Sequence, residues 1–398
     1  MRMKKKILLA SLLLASSLPL SVYADELKNS GNARKNEVSL AKKELPDALS
    51  RFTYNSGLGF KYPDAVRGIY VTGFSAGGSR FKKLVDFVDK TELNSMVIDV
   101  KDDTGNITYE PEDHHSPYAK IGKNYISNPK SMLKVLEKKK IYPIARVVVF
   151  KDSVLSKARP DLSYVEGKEL WKNGRGESFV NPFLKEVWDY NVGIAIEAAK
   201  MGFQEVQFDY VRFPEGFEKR DKTLKYSMGP YKNLKMDNAH KRVQAVTDFV
   251  KYARGKLKPY GVKVSADIFG YTATLPEAPG IGQNFSKIAE NVDVISSMVY
   301  PSHWTSYFGI SKPDLQPYQL LKKYGELENK KLAALKSPPQ SRPWIQDFTA
   351  SYLGAGNYQK YGKKQVEDQI RALKDSGIKE YLLWNAGNTY SENVDYTP

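Results

Sequence analysis

The sequence predicts a (β/α)8 TIM barrel, and three observations carry that expectation. From Val66 onward, short β-rich apolar runs alternate with longer amphipathic stretches. Eight such runs fall within residues 66–385, a span suited to a closed parallel barrel rather than an open doubly wound sheet. Nearly every run begins apolar and ends polar, as expected where strand ends open into a mouth.

The strands are expected at 66–72, 95–101, 142–150, 205–213, 263–269, 292–300, 342–348 and 380–385. Amphipathic spacing places helices between them at 80–90, 130–140, 183–201, 239–257, 285–290, 319–335 and 364–375. Several helices run into stop signals just before the next strand: Lys200-Met201-Gly202, Lys258-Pro259-Tyr260-Gly261 and Asp375-Ser376-Gly377. After the eighth strand, residues 386–398 do not read as a full helix. Either the barrel lacks its eighth helix, or residues before Val66 cover that place.

The amino terminus has the form of an export signal. Arg2, Lys4, Lys5 and Lys6 precede an apolar run over 7–20, and Val22-Tyr23-Ala24 fits a small-x-small cleavage site. The run is short for a membrane span. A signal peptide cleaved near Ala24 is therefore expected, with the mature chain secreted or cell-wall associated. Residues 25–64 are polar and weakly periodic, and read as a spacer with a short helix around 37–50. The chain has no cysteine, which excludes a disulfide framework and a lipid-modified cysteine anchor.

The 398 residues carry a formal charge of +16, and removal of the signal leaves +12. An exported chain of that sign is drawn to anionic polymers such as acidic glycans or teichoic acids, with no nucleic acid expected as partner. The lysines are dispersed along helices, as in Lys138-Lys139-Lys140, which describes a solvated outer surface rather than a groove. Aromatics reach 12%, including 26 Tyr and 5 Trp. Such rings pack barrel walls and also stack on sugars.

The chemistry is expected at the carboxyl ends of the strands. Glycoside hydrolysis needs two carboxyl groups, one protonated and one ionised. Asp209 and Asp267 lie inside adjacent strands, each followed by a turn signal, which puts them about 5–7 Å apart at ordinary strand spacing and favours a retaining mechanism. Asp209 is the expected nucleophile and Asp267 the acid/base, with Asp99 as a supporting carboxylate and Glu215 a second candidate for the acid. Arg212 is expected to hold Asp209 ionised. Lys101 and Arg146 join the substrate-binding set, Tyr300, Trp304 and Trp384 offer sugar platforms, and His303, Gln346 and Asn385 offer hydroxyl partners. The plainer alternatives are that either Asp forms a fixed ion pair with Arg146 or Arg212, and that the aromatics only pack.

Gly73-Phe74-Ser75-Ala76-Gly77 fits the nucleophile elbow of serine esterases, and Asp267 followed by His303 has the matching order. An elbow normally follows several sheet strands, however, and only the spacer precedes Val66. A barrel that binds glycan without cleaving it is a further alternative. No cofactor or metal is expected. His114 and His115 are adjacent and diverge in extended chain, and the turn Asp102-Asp103-Thr104-Gly105-Asn106 lacks the calcium-loop spacing. No phosphate-binding loop is present.

The string Phe208-Asp209-Tyr210-Val211-Arg212-Phe213-Pro214 resembles the fourth-strand signature of the DUF4015 family of bacterial glycoside hydrolases, relatives of the α-amylase-like barrels. Val66-Arg67-Gly68-Ile69-Tyr70-Val71-Thr72, Val97-Ile98-Asp99-Val100-Lys101-Asp102 and Met298-Val299-Tyr300-Pro301-Ser302-His303 fit the same pattern, so the likeness spans about residues 66–388. It implies a barrel with a fourth-strand Asp as nucleophile. Related enzymes commonly place a Glu acid after the fifth strand, where this chain has Asp267.

Overall fold

The computed structural model describes residues 53–111 and 119–397. The expected signal, residues 25–52 of the spacer with its expected short helix, and His114 and His115 lie outside the described residues. Residues from Tyr54 onward form one compact unit.

Eight parallel strands build that unit: β1 (Arg67–Val71), β2 (Ser95–Lys101), β3 (Tyr142–Val148), β4 (Glu205–Asp209), β5 (Lys263–Phe269), β6 (Val294–Met298), β7 (Trp344–Gln346) and β8 (Tyr381–Trp384). They pair in sequence order. β1 pairs with β8, while Trp344 of β7 meets both Met298 and Leu382, so the sheet closes on itself. Gln340–Ser341 extends the β6–β7 seam at its lower end.

Besides short helical turns in the loops, one helix leads from each of the first seven strands to the next: α1 (Arg80–Asp89), α2 (Pro129–Lys138), α3 (Lys185–Met201), α4 (Asn238–Leu257), α5 (Phe285–Ala289), α6 (Pro317–Ala333) and α7 (Lys363–Asp375). Their ends follow local chemistry. The Asn128 side chain accepts from Ser131 N–H ahead of Pro129, and Asp237 accepts from His240 N–H. α3 stops at Gly202, whose φ of 119° is a left-handed conformation open to glycine. Among the described residues no helix is long and apolar enough to cross a membrane.

Strand alternation sorts the core into two layers. Ile69, Met96, Ile98, Val147, Phe208 and Ile268 point outward and pack under the helices. Tyr70, Val97, Ile144, Tyr300, Trp344 and Leu382 fill the barrel interior. The interior also holds a charged floor. Arg342 is 0% exposed, meets Glu205 at 2.7 Å and Glu380 at 2.8 Å, and donates to the Tyr62 hydroxyl at 2.8 Å.

Tyr62 belongs to the stretch that the sequence reads as the end of the spacer. Its ring meets Tyr142 edge-on at 5.2 Å, Tyr54 N–H donates to Pro259 C=O, and Gly59 N–H donates to Glu137. Residues 54–64 thus close the amino-terminal end of the barrel. No helix follows β8 among the described residues. Tyr390 stacks on Phe87 of α1, Tyr396 meets the same ring edge-on, and the Tyr381 hydroxyl donates to Tyr396 C=O. The carboxyl-terminal tail therefore covers the ground of the missing helix.

Candidate active site

The β4–β5 register sets the centre of the mouth. Gln207 lies opposite Ser265 and Phe208 opposite Ala266, so Asp209 and Asp267 are the next residues along neighbouring strands. Both line one cavity of about 870 Å³ at the strand ends, together with Arg146, Tyr300, Trp344 and Trp384. Arg212, His303 and Trp304 also line it. A second compartment of about 540 Å³ adjoins it, sharing Arg175, His303 and Trp384.

Arg146 organises the carboxylates. Its guanidinium donates to Asp99 at 2.7 Å, to Asp103 at 2.6 Å, and to Asp209 Oδ2 at 2.6 and 3.0 Å. Asp209 Oδ1 accepts from Tyr210 N–H at 2.6 Å. Tyr210 has a φ of 52°, rare for a bulky residue, so the chain bends sharply as it leaves β4. Burial opposes the Arg146 charge, but Asp103, Asp209 and Asp99 outweigh it and hold the guanidinium firmly protonated. Asp209 therefore does form the ion pair that a purely structural reading expects, while also lining the open cavity.

Asp267 has a different environment. Trp344 Nε1–H donates to its Oδ1 at 2.8 Å, and it is only 2% exposed. Burial drives its carboxyl well above the ordinary carboxylate range, and the charge of Asp209 pushes the same way. The Tyr300 hydroxyl is held well above its ordinary value by burial and by the same two acids, so it remains a donor. Behind the cavity, Tyr70 donates to Asp99 at 2.6 Å and stacks on Trp384 at 4.1 Å. Burial lifts Asp99 to about 7 against the pull of Arg146.

Four expected site residues lie elsewhere or are occupied. Lys101 points away from the mouth: its Nζ meets Asp152 at 2.6 Å, Val148 C=O at 2.8 Å and Asn191 of α3 at 2.9 Å. A register shift between Asp99 and Lys101 breaks the strand alternation and turns the lysine outward. Asp99 does not line the cavity and instead backs Arg146. Gln346 is buried and ties Ser302 N–H, Asp314 and Phe348 C=O together, bracing the rim. Asn385 lines the second compartment, but its amide donates to Asp347 C=O and its Oδ1 accepts from Gly387 N–H.

The ion pair with Asp209 expected of Arg212 is made by Arg146 instead. Arg212 donates to Phe213 C=O and Glu215, and its guanidinium lies over the rings of Phe269 and Tyr210. Glu215 also reaches the cavity, with its side chain 65% exposed. Sequence reasoning missed Asp103, Arg175, Tyr70, Tyr271 and Trp344. The Asp102 turn does satisfy itself, since Asp102 Oδ1 accepts from the N–H groups of 104, 105 and 106. That leaves Asp103 free to reach Arg146.

Ser75 lines neither compartment. Its one-turn helix (Gly73–Gly77) packs so closely that a Cβ on Gly77 would fall 1.6 Å from Tyr125 C=O, and one on Gly73 2.4 Å from Thr108. Close packing thus accounts for the glycines of the apparent elbow. Among the described residues no group of three or more His, Cys, Asp or Glu is placed to hold a metal ion.

The DUF4015 family profile, described as "Putative glycosyl hydrolase domain", matches residues 68–390. The chain belongs to this family. Among solved structures, the PgaB (BpsB) glycoside hydrolase domain from Bordetella bronchiseptica shares the fold, with a TM-score of 0.58 and 14% identity over 83% of this chain and 95% of that one. A β-galactosidase from the psychrophilic Marinomonas ef1 aligns with a TM-score of 0.53 and 11% identity over 80% of this chain and 54% of that one. A hypothetical protein from Ruminiclostridium thermocellum is 32% identical over 50% of this chain and 96% of that one, with a TM-score of 0.42. No curated protein matches the chain at a significant level.

Proposed function

We propose that this DUF4015 member is an exported glycoside hydrolase acting on a cell-wall or extracellular polysaccharide. The observation that carries the reading is the unequal carboxyl pair: Asp209 in direct ion pair with the Arg146 guanidinium, and Asp267 buried with a hydrogen bond from Trp344 and no ion pair among the described residues. A glycosidase needs this inequality, because one group attacks or activates as an anion while the other delivers a proton to the leaving oxygen. Asp209 is the nucleophile and Asp267 the acid/base, in a retaining displacement. Tyr300 donates a hydrogen bond at the reacting centre, and Trp384, Trp304 and Tyr271 give the sugar rings apolar faces. Export rests on the amino-terminal signal, and mass analysis of the secreted chain tests it by showing whether residue 25 is the first.

One observation favours a second reading. Arg146 and Tyr210 N–H already engage both Asp209 oxygens, the arrangement of a fixed binding wall that holds glycan without cutting it. Purified mature protein and its Asp209→Asn and Asp267→Asn variants separate the two. The hydrolase releases reducing ends from a bacterial polysaccharide, and both variants lose at least roughly 100-fold in rate while retaining polymer. Polymer retention without products in all three proteins leaves the binding wall. Unchanged rates in the variants remove the assigned residues.

A further inference from the structure

The charges around the two compartments are unevenly paired. In the main cavity, Arg146 is matched by Asp209 and Asp103, Arg212 by Glu215, and Glu177 by Lys151 at 2.7 Å. Arg175 stands at the boundary of both compartments and has no ion pair among the described residues. The second compartment has no acidic lining residue at all. Its walls are Phe348, Tyr352 and Trp384, with His303 beside them. Loss of solvent in the cleft lowers the His303 imidazole below its ordinary value against the opposing charge of Glu215, and Arg175 adds to the lowering, so the ring is neutral at pH 7.

The loop that carries Arg175 is fixed while its side chain is not. Asn173 Oδ1 accepts from the N–H groups of Arg175 and Glu177 at 3.0 Å, and Asn173 Nδ2 donates to Glu177 at 2.7 Å. A braced backbone thus presents a guanidinium with no direct ion pair among the described residues, though Glu177 lies near enough to feel its charge, to an aromatic-walled chamber without an acidic lining residue next to the carboxyl pair. Aromatic walls fit the apolar face of a pyranose, and a planar guanidinium matches an oxyanion in two-point contact.

We infer that the second compartment is a subsite for a sugar bearing an anionic substituent, a carboxylate or a phosphate, with Arg175 as its counter-ion. This rests on the glycoside-hydrolase reading only for the substrate's being a glycan, and it gives that substrate its chemical class. Binding of D-glucuronate, D-glucose 6-phosphate and D-glucose, followed by saturation-transfer NMR, tests it. At least one anionic sugar binds roughly tenfold more tightly than glucose, and the better anion identifies the substituent. The preference disappears in Arg175→Gln, survives in part in Arg175→Lys, and weakens with added salt because Arg175 is exposed.

Equal binding of the three sugars, no binding of any, or a preference that persists in Arg175→Gln overturns the inference. The Asp209→Asn variant keeps the preference whatever its effect on hydrolysis. A failed hydrolase assay with an intact anion preference therefore sinks the catalytic reading alone, and hydrolysis without the preference sinks only the subsite.

Discussion

Replacing Arg146 with Met is the most direct probe of how the mouth is held together. The side chain is 0% exposed and is shared by Asp99, Asp103 and Asp209 at 2.6–2.7 Å. Removing one partner of a buried ion pair costs about 3–5 kcal/mol, because the remaining charge stays desolvated. Asp103 has a side chain 43% exposed, so water relieves part of its loss, whereas Asp99 and Asp209 are at 3% and 7%. The expected cost is therefore about 4 kcal/mol at alkaline pH.

The same argument fixes the pH dependence. In the native protein burial works to raise the Asp103 carboxyl, but Arg146 and Lys151 together hold it below its ordinary value. Without Arg146, burial lifts the Asp103 carboxyl above its unfolded value, and the Asp99 carboxyl, already raised in the native protein, rises further. The folded variant then binds more protons than the unfolded one, and stability present at low pH is lost as pH rises through the raised values. The deficit relative to the native chain should shrink below about pH 4.5 and grow toward about pH 8. Urea unfolding followed by tryptophan fluorescence at those two pH values measures it. Equal deficits at both would show that the arginine acts through packing volume, and would refute the electrostatic account.

Trp344→Phe removes the indole donor to Asp267, a bond that favours the ionised carboxyl, so the alkaline limb of the kcat/KM profile should move to higher pH; an unmoved or lowered limb contradicts the acid assignment. Ser75→Ala should leave hydrolysis unchanged, whereas Gly77→Ala should destabilise by at least about 1–3 kcal/mol in thermal unfolding, since its Cβ has no room beside Tyr125. An esterase would show the reverse pattern in activity. Truncation after Asn388 should lower the unfolding temperature and expose Phe87 and Tyr381 to an apolar dye, because the tail packs on both where no helix follows β8 among the described residues.

The sequence alone determined the strands, the helices and the level of the carboxyl pair. β2 and β5 fall on their expected bounds, 95–101 and 263–269, because an apolar run bounded by turn signals has little freedom to shift without burying polar groups. Period-two alternation likewise put Asp209 and Asp267 on the inner face. Partner choice was decided only by the tertiary structure. Arg146 rather than Arg212 meets Asp209, since the pairing of β3 with β4 brings together residues that are 63 apart in the chain. Lys101 left the mouth through one irregular register step that no local pattern announces. The charged floor of the barrel follows the same logic: Arg342, Glu205, Glu380 and Tyr62 come from four separate segments, and only the closed sheet makes them neighbours. Local periodicity decides which face a residue presents, while strand pairing and closure decide what that face meets.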